Sequence, residues 1–153
     1  MSVLPIDHPN LVVEPFATGE MVCILPEGHP LAAQADVGLA ELAAWRLVLY
    51  SRNIPFGRLV AAAFQRAGVD WNPSVDIVRA ELACALVRAG AGVAIVDEFS
   101  VGGAGWPGVV VRPLRESIPL ALSLVRSRFD TPSRHVQRFV RVLKEQAKAM
   151  APG

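Results

Sequence analysis

The sequence lacks the features that would place it in several large classes of protein. Its apolar runs fall far short of the ~20 residues that a membrane-spanning helix needs. It contains no His-x-His, His-Glu-x-x-His, Cys-x-x-Cys or Gly-x-Ser-x-Gly pattern. A net charge of +1 gives no whole-chain case for nucleic-acid binding. We therefore expect no enzyme, no metal or other cofactor, and no membrane or direct nucleic-acid partner.

Cysteine and histidine are also scarce. Cys23 and Cys84 each lie within an apolar run, which predicts buried free thiols in a reducing cytoplasm. The N-terminus has no basic segment followed by a long apolar one, so no secretory signal is expected and the predicted location is cytoplasmic. His29 lies in a Gly-His-Pro sequence. A residue before proline favours extended or turn backbone, so this sequence predicts a turn. We expect this turn to be structural rather than catalytic.

The sequence is rich in core-forming residues: 52% are hydrophobic and 19% are charged. Apolar periodicity and Gly/Pro punctuation predict alternating strands and helices, and hence an α/β sheet with right-handed crossovers. The run 92–96 is apolar throughout, as expected of a strand that is covered on both faces. The predicted strands are 11–16 and 20–25, joined by a turn at Gly19, then 46–50, 73–78, 92–96, 109–114 and 118–125; the predicted helices are 37–45, 55–67, 80–89 and 131–150.

The last predicted helix, 131–150, is basic and amphipathic. Thr131 is its expected N-cap, with Pro132 at the first helical position. Such a helix could bind a membrane surface or nucleic acid, but packing on a sheet with a solvated basic face is favoured. The Gly- and Pro-rich stretch 102–108 before it predicts a surface loop.

Polar residues follow three of the predicted strands, where ligands of open α/β sheets collect. They are Ser51, Arg52 and Asn53 after the strand 46–50, Arg79 before the helix 80–89, and Asp97 after the strand 92–96. Hydroxyl, amide and guanidinium donors near helix N-termini suit a metabolite with a carboxylate group. In the alternative interpretation, Ser51 and Asn53 only cap a helix and the two arginines are solvated.

Three segments, in this order, resemble the effector-binding domain of LysR-type transcriptional regulators: "PEGHPLAAQADVGLAELAAWRLVLY", "RAELACALVRAGAGVAIVDEF" and "FDTPSRHVQRFVRVLKE". The resemblance covers about residues 3–148 and implies a periplasmic-binding-protein-like (type II) fold with Rossmann-like lobes. It further implies a small-molecule effector bound between two lobes, with Asp7 and His8 as contacts near the hinge. "LPIDHPNL" and "AIVDEF" look closer to members that sense lysine-related amino acids or opines.

The resemblance also predicts the division of the chain. Residues 1–20 correspond to the hinge and the end of the first-lobe segment, 21–97 to a complete second lobe, and 98–153 to the return to a partial first lobe with the terminal helix. No helix-turn-helix is recognised, so DNA would be bound only through a domain outside this chain. A partial first lobe would expose apolar surface, which predicts a homo-oligomer such as a dimer. The alternatives are a stand-alone solute-binding lobe of the same fold and a small α/β enzyme.

Overall fold

The chain forms two compact units in a computed structural model that describes residues 2–3, 6–103 and 105–150, with backbone only for 148–150. The larger unit is Glu20–Pro119, and the smaller unit combines Met1–Gly19 with Leu120–Gly153. The larger unit extends to Pro119 because the strand at 109–113 pairs within it. The lobe bounds expected from the sequence, 1–20, 21–97 and 98–153, stay a prediction.

The sheet of the larger unit is mixed, with the strand order β3-β2-β4-β1-β5. Parallel pairs join β2 to both β3 and β4, as the alternating pattern predicted. Antiparallel pairs join β1 to both β4 and β5. The strands are β1 (Leu11–Pro26), β2 (Leu47–Tyr50), β3 (Val75–Ile77), β4 (Val93–Asp97) and β5 (Val109–Pro113).

The helices of the larger unit begin and end close to the predicted positions. Pro55 starts α2, and Gly68, with a φ of 66°, ends it. The helices are α1 (Leu39–Ala43), α2 (Pro55–Ala67), α3 (Ala80–Arg88) and the short α4 (Glu98–Val101), which was not predicted; a 3-10 turn spans Pro30–Ala33. His29 is the N-cap of that turn, and its Nδ1 atom accepts a hydrogen bond from the Leu31 N–H at 3.2 Å.

The core lies in the middle strands of the larger unit. All residues of β2 and β4 are buried, which confirms that the apolar run 92–96 is covered on both faces. Cys23 and Cys84 are buried and free, as predicted. Burial raises the pKa of the Cys23 thiol to about 11, so it stays protonated and unreactive.

The turn predicted at Gly19 is absent, and β1 runs without a break from Leu11 to Pro26. Gly19 does not adopt a positive φ. The strand has partners at both ends, because β6 (Pro119–Ser127) also pairs with it. Extended hydrogen bonding therefore outweighs the turn preference of a single glycine.

The smaller unit contains β6 and the terminal helix α5 (Arg134–Met150). The predicted N-cap is wrong: Ser133, not Thr131, accepts a hydrogen bond through its hydroxyl from the Val136 N–H at 3.3 Å, and Pro132 precedes the helix. No residue of the described part of α5 is fully buried. Among the described residues, no helix is both long and apolar enough to cross a bilayer.

Candidate functional site

Three parallel strands of the larger unit end at one edge of the sheet. Tyr50 at the end of β2 is in register with Ile77 at the end of β3, and the Ser51 N–H donates to the Ile77 carbonyl at 2.8 Å. The pairing of Val48 with Ala94 brings Asp97, at the end of β4, to the same edge. The structure therefore brings the predicted residues Ser51, Arg79 and Asp97 to neighbouring strand ends.

Asp97 is the buried polar centre of this edge, with a relative exposure of 5%. Its Oδ2 atom accepts a hydrogen bond from the Tyr50 hydroxyl at 3.0 Å. Its Oδ1 atom accepts from the Ser100 N–H at 3.0 Å, and the Ser100 hydroxyl lies within 3.0 Å of both oxygens. Asp97 thus caps α4 and links the ends of β2 and β4, since both of its oxygens are engaged within the protein.

Tyr50 is the hydrogen-bond donor to the Asp97 carboxylate. Burial, reinforced by the charge of Asp97, raises the pKa of the Tyr50 hydroxyl far above its ordinary range. The hydroxyl therefore remains a hydrogen-bond donor at any physiological pH. The Tyr50 ring stacks on Phe56 at a centroid separation of 5.2 Å, which ties the end of β2 to the first turn of α2.

The loop between β2 and α2 carries Ser51 and Asn53. The Ser51 Oγ atom accepts a hydrogen bond from the Asn53 N–H at 3.3 Å, and neither side chain caps α2, whose N-cap is Ile54. The Ser51 hydroxyl proton and the first-turn N–H groups of α2 are left as donors. The capping role considered for Ser51 and Asn53 is therefore wrong.

Gly57 allows this loop to lie against α2. A Cβ atom at residue 57 would lie 1.9 Å from the Ser51 carbonyl oxygen and 2.7 Å from that of Tyr50. Both obstacles are backbone atoms, so no side-chain movement would relieve the overlap. Only glycine at this position allows the observed approach.

The two predicted arginines have different surroundings. Arg79 is the exposed N-cap residue of α3, and its side chain makes no capping hydrogen bond. Arg52 is also exposed, but its Cζ atom lies 4.8 Å from the centroid of the Trp71 ring. Arg52 therefore makes a cation–π contact, which sequence reasoning did not anticipate.

Asp7 and His8 belong to the smaller unit, where both are exposed. The Nδ1 atom of His8 accepts a hydrogen bond from the Asn10 N–H at 3.2 Å, so the histidine stabilises a local turn. Their predicted role as ligand contacts stays a prediction. In the described part of the chain, no group of three or more His, Cys, Asp or Glu side chains is placed to bind a metal ion.

Sequence reasoning missed Tyr50, Gly57 and Ser100. Tyr50 is the single tyrosine of the chain and ends an apolar strand, a position where a hydroxyl group needs a partner. Gly57 stands within a predicted helix, where glycine is unfavourable unless close packing requires it. Those two signals were available, whereas nothing in the sequence identifies Ser100 as a donor to Asp97.

The fold has counterparts among solved structures. The regulatory domain of CcmR from Synechocystis PCC6803, solved in complex with 2-PG, superimposes with a TM-score of 0.80 at 18% identity, covering 97% of this chain and 73% of that one. The effector-binding domain of QuiR, in complex with shikimate, gives a TM-score of 0.76 at 18% identity, covering 95% and 69%. These likenesses define a periplasmic-binding-protein-like (type II) α/β fold, as predicted.

The sequence identifies the family. The profile of the LysR substrate binding domain matches residues 1–148, and the chain belongs to that family. The regulatory protein NocR of Agrobacterium tumefaciens (strain T37) is 30% identical over 150 residues, covering 98% of this chain. The chain spans about half the length of that relative, 50%. The match to a regulator agrees with the prediction that the chain is not an enzyme.

Proposed function

We propose that this domain is the effector-sensing module of a cytoplasmic LysR-type transcriptional regulator and binds a small, carboxylate-bearing, amino-acid-like metabolite. The convergence of three strand ends with the N-termini of α2 and α3 carries this proposal. Backbone N–H groups at helix N-termini attract anions, and this edge is where α/β folds bind ligands. The resemblance of "LPIDHPNL" and "AIVDEF" to members that sense lysine-related amino acids or opines favours an effector of that kind. DNA binding would require a separate helix-turn-helix domain.

In this proposal, Ser51 and Arg79 contact the carboxylate directly. The Ser51 hydroxyl and the first-turn N–H groups of α2 donate hydrogen bonds, and the Arg79 guanidinium supplies a charge. Asn53 contributes through its amide, and Asp97 holds the strand ends in position through Tyr50. Arg52, Asp7 and His8 remain proposed contacts.

Calorimetric titration of the chain with lysine, arginine and opines tests this site. We expect saturable binding that weakens at least about tenfold in Arg79→Ala, because a charge-assisted hydrogen bond contributes about 1.5–3 kcal/mol. Arg66→Ala is the matched control, since Arg66 is an exposed arginine in the last turn of α2. Unchanged affinity in the double variant Arg52→Ala, Arg79→Ala would exclude the assignment.

We also propose that the chain self-associates through the apolar face of the smaller unit. Several large apolar side chains there are exposed: Phe129 at 76%, Val136 at 49%, Phe139 at 64% and Val142 at 48%. Exposed apolar patches of this kind mark interaction surfaces. Light scattering at micromolar concentration should show a species larger than a monomer, and Phe139→Ser should shift it toward the monomer. A monomer under those conditions would contradict the proposal.

A further inference from the structure

A concave site lies on the larger unit, between α2 and the segment 68–71 that follows it. Its volume is about 640 Å³, within the range of about 300–1,000 Å³ typical of small-molecule sites. Its lining combines two arginines, an aspartate and two aromatic rings. Apart from Arg52, none of these lining residues has a role in the proposed effector site.

The end of α2 shapes the hollow. The helix stops at Gly68, and the Val69 N–H donates to the Phe64 carbonyl at 3.0 Å, which turns the chain back along the helix. This return places the Trp71 ring edge-on against the buried Phe64 ring, with centroids 5.4 Å apart and planes at 78°. Ala61 and Ala62 line the helix side, and their small side chains leave space beside the two rings.

Two guanidinium groups give the hollow its charge. Arg52 lies over the Trp71 ring, and stacking in this way leaves the in-plane N–H groups of a guanidinium free to donate. The Nη1 atom of Arg58 donates to the Asn53 carbonyl at 3.2 Å, which holds this side chain over the β2–α2 loop. Neither arginine forms an ion pair with a carboxylate within the described ranges.

The remaining charge in the lining belongs to Asp70. One carboxylate beside two guanidinium groups leaves a net charge of about +1 at neutral pH. A ligand with one negative charge neutralises that excess, whereas a second negative charge would lie near Asp70 and be repelled. The Trp71 ring and the alanine side chains can accept a flat apolar body.

We propose that this hollow binds a planar organic monocarboxylate, such as an aromatic or heteroaromatic acid, with its carboxylate between Arg52 and Arg58 and its ring beside Trp71. This site shares Arg52 with the proposed effector contacts but does not involve Ser51 or Arg79. The two arginines supply charge-assisted, in-plane donors that match a carboxylate. Trp71, backed by the buried Phe64 ring, supplies the apolar contact together with Ala61 and Ala62.

Nuclear magnetic resonance with ¹⁵N-labelled protein tests the proposal, using 1-naphthoate as the probe. The chain has three tryptophans, so its three indole N–H signals can be assigned with single Trp→Phe variants. We expect saturable shifts of the Trp71 signal, while Trp45 and Trp106, which do not line the hollow, stay in place. Naphthalene-1-carboxamide, which has the same shape without the charge, should bind at least about tenfold more weakly.

Variants separate charge recognition from nonspecific apolar contact. Arg58→Gln should weaken naphthoate binding about tenfold or more, and Arg66→Gln, an exposed arginine of the same helix outside the hollow, should leave it unchanged. Naphthalene-1,4-dicarboxylate should bind more weakly than naphthoate, and Asp70→Asn should reduce that difference. Undisturbed Trp45 and Trp106 signals in each variant verify that it is folded.

Three results would overturn the proposal. They are no saturable shift at Trp71, equal shifts at all three indoles, and a Trp71 shift that persists in the double variant Arg52→Gln, Arg58→Gln. None of them bears on the contacts that Ser51 and Arg79 make in the effector site, because the single variant Arg79→Ala tests those without changing the hollow. Conversely, failure of amino acids and opines to bind would leave the naphthoate titration unaffected.

Discussion

Both units contain apolar sequence patterns, but the apolar residues are buried in the larger unit and remain partly exposed in the smaller one. In the larger unit, every residue of β2 and β4 is buried. In the smaller unit, α5 is strongly amphipathic, yet none of its described residues is fully buried and Phe139 remains 64% exposed. An apolar pattern therefore indicates which face of a helix or strand is suited to burial. Whether that face is buried depends on how many layers pack around it.

The polar contacts of the two units differ in the same way. In the larger unit, Tyr50 and Asp97 form a buried hydrogen bond. In the smaller unit, Lys144 and Glu14 form an ion pair at 2.9 Å, with about two fifths of each side chain exposed (41% and 42%). Hydrogen bonding to Lys144 and its charge lower the pKa of the Glu14 carboxyl. Solvent weakens such a pair, so the stability of the chain should reside mainly in the larger unit.

The largest expected effect comes from truncating a matched leucine in each unit. Leu49→Ala in β2, where the side chain is 0% exposed, should lower the free energy of unfolding by about 2–5 kcal/mol. Leu143→Ala in α5 should lower the free energy of unfolding by less than about 1 kcal/mol. The Leu143 side chain is only partly buried, so the truncation removes little buried apolar area. Urea unfolding followed by circular dichroism measures both, and equal losses would break the comparison.

Gly57→Ala should lower the free energy of unfolding by a smaller amount, about 1–3 kcal/mol. The added methyl group would overlap the backbone carbonyl of Ser51, so the loop or the helix must move. Gly38→Ala is the matched control in the same unit, because its nearest neighbour is the flexible end of Arg115 at 2.9 Å. Thermal unfolding measures both variants. A Gly57→Ala protein as stable as Gly38→Ala would show that the approach of α2 to the loop is not fixed.

Much of the larger unit is predictable from its sequence, for local physical reasons. Pro55 and Gly68 bound α2 at the predicted residues because each has a backbone preference that suits a helix end. Local preferences of this kind act wherever neighbours in the chain determine the geometry.

The remainder depends on partners that are distant in the chain. Gly19 continues a strand because β1 has pairing partners along its length. The predicted site residues Ser51, Arg79 and Asp97 share one edge, but their contacts could not be predicted: Asp97 bonds to Tyr50, 47 residues away. Arg52 turns to Trp71, because the chain reverses after Gly68. No periodicity in the sequence encodes these pairings.

A third prediction compares the buried hydrogen bond with the exposed ion pair. Tyr50→Phe should lower the free energy of unfolding by about 1–2 kcal/mol, because Asp97 stays buried and loses a donor. Lys144→Ala should cost no more than about 1 kcal/mol, as is usual for surface ion pairs. Guanidinium unfolding of the two variants makes the measurement. A larger loss of unfolding free energy in Lys144→Ala than in Tyr50→Phe would contradict the conclusion that the stability of the chain resides mainly in the larger unit.

The smallest effect is expected from the titration of His29 in the larger unit. Burial lowers the pKa of His29. Its Nε2 atom is buried without a hydrogen-bond partner among the described residues, and its ring lies 4.3 Å from that of Trp45. Because Nδ1 accepts from the Leu31 N–H, the neutral ring carries its proton on Nε2, and protonation would remove this acceptor. His135 in the smaller unit is exposed.

The sign follows from which state binds the proton more tightly. The unfolded chain, with an ordinary histidine pKa of about 6.5, protonates before the folded chain does. The stability that neutral His29 contributes is therefore present above pH 6.5 and is lost as the pH falls below it. His29→Asn keeps an acceptor for the Leu31 N–H, so its unfolding free energy should fall less between about pH 7.5 and about pH 5.5. His135→Asn is the control, and its free energy of unfolding should fall between these two pH values as much as that of the unchanged protein. An equal fall in the His29→Asn and His135→Asn variants would contradict the contribution assigned to His29.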